Sequence, residues 1–164
     1  MVIQQLLLLI LFLFFLPATA LCDPAALTGT ITWVYDGDTV KVENIGKVRL
    51  LGIDTPEKED SPRDNYYLRQ GVDRGTLRRI ADMALRFMIR EAKGKRVTVQ
   101  VGGDGTDRHG RTLAYIYLPD GRLLNRLLLE EGLAAVYRKF DFRLKADFLA
   151  TEKAARLKRL GLWQ

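Results

Sequence analysis

Val48-Arg49-Leu50-Leu51-Gly52-Ile53-Asp54-Thr55-Pro56-Glu57 changes character half-way along its length. Its first half is rich in branched apolar residues and follows the turn signal Asn44-Ile45-Gly46-Lys47, so it reads as a strand entering a core. Its second half cannot continue that strand in a sheet. Pro56 has no N–H to give to a ladder, and it biases Thr55 toward extended backbone, which leaves the Thr55 carbonyl without a helix or ladder partner. Two carboxylates, Asp54 and Glu57, and one free carbonyl are therefore expected to leave the end of a strand together. Such oxygens suit a hard cation such as calcium, and a neighbouring carboxylate that is not a ligand can take a proton from water. Arg49 adds a fixed planar fork of donors suited to a phosphate. A plainer account of the same segment is a strand, an Asp-Thr-Pro turn and solvated charges, so the rest of the chain has to decide.

The chain has 164 residues, 48% of them hydrophobic and 28% charged, which fits one globular domain with a real core and leaves no room for a second catalytic unit. A formal charge of +6 points to a polyanionic partner, nucleic acid or an anionic membrane face, without specifying any chemistry. Residues 1–20 read as an export signal: Leu6 to Leu16 is an unbroken apolar run too short for a comfortable membrane span, and Ala18-Thr19-Ala20 marks cleavage after Ala20. Met1 to Gln5 holds no Lys or Arg, which departs from the usual signal, and an uncleaved anchor or a lipid on Cys22 is the alternative. The expected location is secreted or periplasmic, with no membrane insertion after cleavage. Cys22 is the only cysteine, so the folded domain has no internal disulfide and must be stabilised by packing, with or without metal.

Residues 21–28 read as a linker, and the domain as residues 29–164. Ile31-Thr32-Trp33-Val34-Tyr35 and Thr39-Val40-Lys41-Val42-Glu43 are strand patterns around Asp36-Gly37-Asp38; Asp-Gly between alternating runs signals a hairpin, because Gly accepts the positive φ such turns need. That does not account for Asp38, a further carboxylate where the return strand begins. The segment Lys58 to Asn65 lacks periodicity and reads as an exposed loop. From about Thr76 the period becomes 3.6, with Ile80, Met83, Ala84, Phe87 and Met88 on one face, up to the stop at Lys93-Gly94. Arg96 to Val101 and Arg111 to Leu118 are strands, joined by the turn-rich Gly102-Gly103-Asp104-Gly105; Leu123–Glu131 and Phe142–Leu160 are helices. The glycines do not form a dinucleotide fingerprint, since Arg108 stands where the third Gly is needed, and Asp104 to Asp107 lacks the spacing of a helix-loop-helix calcium loop. Five strands with about three helices in this order define an α+β chain built on an OB-fold-type Greek-key β-barrel.

Three separated segments then coincide: Asp36-Gly37-Asp38-Thr39-Val40, Arg49 to Glu57, and Asp107-Arg108-His109-Gly110-Arg111-Thr112-Leu113-Ala114-Tyr115. In this order and on these elements they resemble the staphylococcal nuclease (thermonuclease, micrococcal nuclease) family over roughly Gly29 to Trp163. The resemblance implies an exported, Ca2+-dependent phosphodiesterase, an endonuclease that hydrolyses DNA and RNA with little sequence specificity and leaves 3′-phosphates. It also implies roles: Asp38, Asp54 and the Thr55 carbonyl as calcium ligands, Glu57 as the residue that positions or deprotonates the attacking water, and Arg49 and Arg111 as the arginines on the scissile phosphate. Two departures from the family pattern stand out: the segment Lys58 to Gly75 looks longer than usual, and Arg108-His109 replaces a more usual lysine-tyrosine pair. His109 reads as a loop residue that at most touches substrate, and Tyr137 either stacks on a base or packs under the last helix.

The competing reading is a catalytically silent OB-fold module that holds nucleic acid by its basic surface alone. Paired carboxylates beside a polyanion weaken such binding, so the set Asp38, Arg49, Asp54, Glu57 and Arg111 favours the enzyme. No protein partner is implied, and a monomer is expected.

Overall fold

The computed structural model describes residues 26–164; the expected signal segment and Cys22 lie outside the described residues. Five strands close into a barrel in the order β1 (Ala26–Val34), β2 (Thr39–Val42), β3 (Gly46–Leu50), β6 (Thr112–Tyr117), β5 (Arg96–Thr106), with β5 pairing back onto β1. All pairings are antiparallel except β3 with β6, which run parallel from Val48↔Thr112 to Leu50↔Ala114. That one parallel pairing is where the Greek key closes, and it sets Arg49 beside the start of the strand that follows Arg111. The α+β, OB-type barrel expected from the sequence is thus present.

Alternation along the strands fills the barrel: Ile31, Val40, Val48, Leu50, Val99 and Ile116 are all buried. Among the described residues four helices cover it rather than about three. The additional one, α1 (Asp64–Leu68), lies partly in the segment expected to be an exposed loop. Five residues are too few to show a helical period; what fixes α1 is Tyr67, fully buried, and Asp64, held by Arg74 and Arg78. The long helix α2 (Arg74–Ala92) starts where the Asp73 carboxylate accepts from the Thr76 amide, an N-cap. Its core face is Leu77, Ile80, Ala84, Phe87 and Met88, whereas Met83, expected there, is exposed. Helices α3 (Leu124–Glu130) and α4 (Lys145–Leu157) pack on each other, and a 3₁₀ turn at Gly161–Trp163 ends the chain.

Two expected boundaries move. β1 already pairs with β5 at Ala26↔Gln100, so residues 26–28, read as linker, are sheet. Gly102 to Gly105, read as a turn, continues β5, which re-pairs with β6 at Thr106↔Thr112 after an irregular stretch.

Buried Asn125 on α3 joins the barrel to the segment that carries the acidic residues. It accepts from the Ile116 amide at 3.1 Å and donates to the carbonyls of Leu51 at 3.0 Å and Ala114 at 3.2 Å. The turn after β3 is thereby fixed to β6.

Candidate active site

Asp38 is positioned by a turn whose chemistry differs from the sequence expectation. Gly37 does not have positive φ among the described residues; it is required because a Cβ there would lie 2.7 Å from the Ala84 Cβ and 2.8 Å from Thr55 Oγ1. The turn can thus press against α2 and the Asp54-Thr55 segment. Asp36 accepts from the Asp38 amide at 2.9 Å, and Asp38 enters β2 with its side chain buried.

Arg49 stands opposite Thr39 across the β2–β3 ladder, so its side chain starts next to Asp38. The strand then breaks at Gly52, with φ +82, where any Cβ would strike the Phe142 ring at 2.6 Å. After this turn comes β4 (Ile53–Asp54), two residues paired with β7 (Ala135–Val136). Asp54 therefore does not leave the end of β3 as the sequence suggested; it comes back toward it after the Gly52 turn. Arg49 then bonds both carboxylates, Nη1 to Asp38 Oδ1 and Nη2 to Asp54 Oδ1, each at 2.7 Å. Thr39 Oγ1 donates to Asp38 Oδ1 at 3.0 Å, and Thr55 donates to Asp38 Oδ2 from its amide at 3.1 Å and its hydroxyl at 3.2 Å. From α1, the Tyr67 hydroxyl lies 3.0 Å from the Asp54 carbonyl and 3.3 Å from its Oδ2. Among the described residues no group donates to the Thr55 carbonyl, as Pro56 led one to expect.

This cluster is short of positive charge. Burial, and then the charge of Asp38, push the Asp54 carboxyl up to about 6 against the pull of Arg49 and Arg63. The same two causes push Asp36 up to about 6. Burial works against the charge on Arg49, but Asp38 and Asp54 more than offset it and hold its guanidinium above its ordinary value. One buried arginine thus faces three acidic side chains.

Glu57 is half-exposed and joins the cluster through Arg63, whose Nη1 reaches Glu57 Oε1 at 2.7 Å and Asp54 Oδ1 at 3.4 Å. Arg111 lines the same cleft as Arg49. Its backbone amide and Nε donate to Asp107 at 3.0 and 2.8 Å, and its Nη2 lies 2.6 Å from Asp107 Oδ2. These bonds from Arg111 hold the Asp107 carboxyl down at about 2 despite the opposing desolvation. Arg49 and Arg111 line one cleft of about 390 Å³ with Arg63, Arg108, Lys139 and Phe140.

The structure therefore brings Asp38, Arg49, Asp54 and Thr55 into direct contact, Glu57 to them through one arginine, and Arg111 to the same cleft as Arg49. Sequence reading missed Arg63 and Tyr67, which lie in a segment without periodicity, and gave no role to Asp107, whose signal was its place four residues before Arg111. His109 is exposed, and its Nε2 accepts from Arg108 Nε at 3.2 Å. Tyr137 lines the cleft with its ring 5.1 Å from that of Phe140, so it is not packed beneath the last helix.

The chain, a closed barrel carrying buried acids against arginines, belongs to the staphylococcal nuclease family. Residues 47–164 match the family model described as staphylococcal nuclease homologue. The chain is 40% identical over 148 residues to an uncharacterized protein of Methanocaldococcus jannaschii, covering 82% of this chain and 70% of that one. It is 34% identical to an uncharacterized endonuclease of Escherichia coli O157:H7, covering 94% and 86% of the two chains. It is also 31% identical to a thermonuclease of Staphylococcus intermedius, covering 80% and 73%. Asp38 precedes the matched residues, so its place in the site rests on its bonds to Arg49 and Thr55.

The calcium that the family resemblance implies can be tested against the donor set. Among the described residues no group of three or more His, Cys, Asp or Glu side chains is placed to hold a metal. What is present is two carboxylates, Asp38 and Asp54, and the unpartnered Thr55 carbonyl, all hard oxygen donors in a cluster with surplus negative charge. This set fits a hard cation that takes its remaining ligands from water, since calcium takes roughly six to eight oxygens.

Proposed function

We propose that the protein is a calcium-dependent endonuclease that hydrolyses DNA and RNA with little sequence specificity and leaves 3′-phosphate ends. The observation that carries this reading is the convergence of Asp38 and Asp54 on Arg49, at 2.7 Å each, at the edge of a cleft that also holds Arg111. The names of the relatives, endonuclease and thermonuclease, support the same reaction class.

Asp38, Asp54 and the Thr55 carbonyl would hold the calcium, which when bound supplies positive charge beside the phosphoryl oxygens. Glu57 accepts a proton from the attacking water, whose oxygen bonds to phosphorus as the bond from phosphorus to the 5′-oxygen breaks; the leaving oxygen picks up a proton. Arg111 presents its guanidinium to the phosphoryl oxygens as their charge grows, held by Asp107 at the end of a loop that leads straight into β6. Arg49 has both terminal nitrogens engaged with carboxylates but only two of its five N–H donors used, so it can turn the others to the same phosphate. The contacts on offer are to backbone phosphate, which is why weak sequence preference is expected.

A silent binding module has no use for two buried acids, Asp38 and Asp54, next to a polyanion, and this favours the enzyme. We further propose export, from the residue pattern of the first 20 residues, and a monomer. Among the described residues no helix is long and apolar enough to cross a membrane.

The test is incubation of the purified protein with single- and double-stranded DNA and RNA, with calcium or with a chelator. Calcium-dependent loss of all these substrates is expected; binding without cleavage under both conditions would establish the module instead.

A further inference from the structure

A second cleft, of about 460 Å³, opens beside the first and shares Arg63, Arg108, Tyr137 and Lys139 with it. Its remaining wall is built largely by α1 and its flanks, through Asn65, Tyr66 and Arg69. This is the segment whose unusual length the sequence left without a role.

The cleft is built to hold an anion with a flat face. Arg69 and Lys139 make no ion pair or side-chain hydrogen bond among the described residues, and Arg108 contacts only His109, so three cations are free to meet a ligand. These contrast with the arginines elsewhere on the surface, such as Arg86 and Arg126, which are paired with neighbouring acids. Tyr66 is fixed in place. Its ring stands edge-on to buried Tyr67, with centroids 5.2 Å apart at 81°, and its hydroxyl accepts from Arg138 Nη1 at 2.9 Å. Arg138 is itself anchored on buried Glu152. A preset aromatic ring among unpaired cations is the chemistry that binds a base and its phosphate, because every base offers a π-face and every linkage a charge.

We propose that this second cleft binds a nucleotide one step beyond the pair flanking the scissile phosphate in a single-stranded nucleic acid, its base against Tyr66 and its phosphate drawn by Arg69, Arg108 and Lys139. The inference rests on the nuclease reading for what occupies the first cleft. The shared lining residues make the two clefts continuous, so a strand leaving the first passes Arg108 and Lys139 on entering the second. A single strand is specified because a base lying on Tyr66 must be unstacked from its duplex neighbours.

The experiment compares a thymidine dinucleotide, which fills only the first cleft, with a thymidine hexanucleotide. Hydrolysis is followed with the wild-type protein, and binding is followed by fluorescence anisotropy in a Glu57→Gln background. The wild type is expected to favour the hexanucleotide by about tenfold in kcat/KM, and Arg69→Ser and Tyr66→Leu each to shrink that preference by roughly three- to tenfold. Tyr66→Phe, which keeps the ring, should retain most of the preference. The slope of affinity against salt should also flatten in Arg69→Ser. If neither probe is hydrolysed but the binding preference is present and lost in Arg69→Ser, the cleft stands and the nuclease reading falls. Equal affinity for both probes, or a preference that survives both Arg69→Ser and Tyr66→Leu, would overturn the proposal.

Discussion

Arg63 Nη1 donates to Glu57 Oε1 at 2.7 Å while lying 3.4 Å from Asp54 Oδ1, so one guanidinium ties the carboxylate proposed to act on water to one proposed to hold metal. The Arg63 and Glu57 side chains are each about two-fifths exposed, and such pairs contribute only about 0–1 kcal/mol to stability. Arg63→Ala should therefore leave the denaturation midpoint almost unmoved while lowering kcat by roughly three- to tenfold, since Glu57 loses the contact that orients it. Denaturant titration beside a hydrolysis assay checks both halves.

Arg49 carries a structural load as well as the chemical one proposed for it. Removing it leaves Asp38 and Asp54 buried side by side with no cation between them, and loss of one partner from a buried ion pair costs about 3–5 kcal/mol. Arg49→Leu should thus be strongly destabilised in chelator. Calcium should restore more stability to this variant than to the wild type, because it supplies the missing charge. Thermal melts with and without calcium measure the difference.

The Asp107–Arg111 pair gives a pH dependence of defined sign. The Asp107 carboxyl is held at about 2, below its ordinary value of 3.8, so the stability it contributes is fully present above about 4 and is lost as pH falls toward 2. The gap in stability between wild type and Asp107→Asn should accordingly be widest at neutral pH and close between pH 4 and 2. At neutral pH the same variant should lose turnover, because Arg111 is no longer fixed. Denaturant midpoints across that range, with kcat at pH 7, test this.

Much of this was legible in the sequence because the signals were local. The Asp36-Gly37-Asp38 turn, the Pro56 break and the Arg111 strand each place one side chain at an element end, and the barrel order follows from where the 3.6 period interrupts the twofold one. What the sequence could not show depends on contacts between distant residues. Gly37 looked like a positive-φ glycine, yet its requirement comes from Ala84, forty-seven residues on. Tyr67 and Arg63 act on Asp54 from a stretch with no periodicity, where burial of Tyr67 and the pairs from Asp64 to Arg74 and Arg78 fix a helix.

Asn125 was silent in the sequence for the same reason, and it offers a further check. Asn125→Ala would leave the Ile116 amide and the Leu51 carbonyl buried without partners, and should destabilise by about 2–4 kcal/mol. Activity should fall with it, as the turn leading to Asp54 loses its tie to β6. A urea titration and an assay under native conditions would show both.

The division of labour among the carboxylates is measured most directly by calcium calorimetry and hydrolysis on Glu57→Gln and Asp54→Asn. Glu57→Gln should bind calcium nearly as the wild type does and lose activity by about 10²-fold or more. Asp54→Asn should lose affinity and activity together, since a charged ligand is gone while the Arg49 pairing to Asp38 remains. Near-full activity in Glu57→Gln, or loss of calcium binding there as complete as in Asp54→Asn, would contradict the assignment.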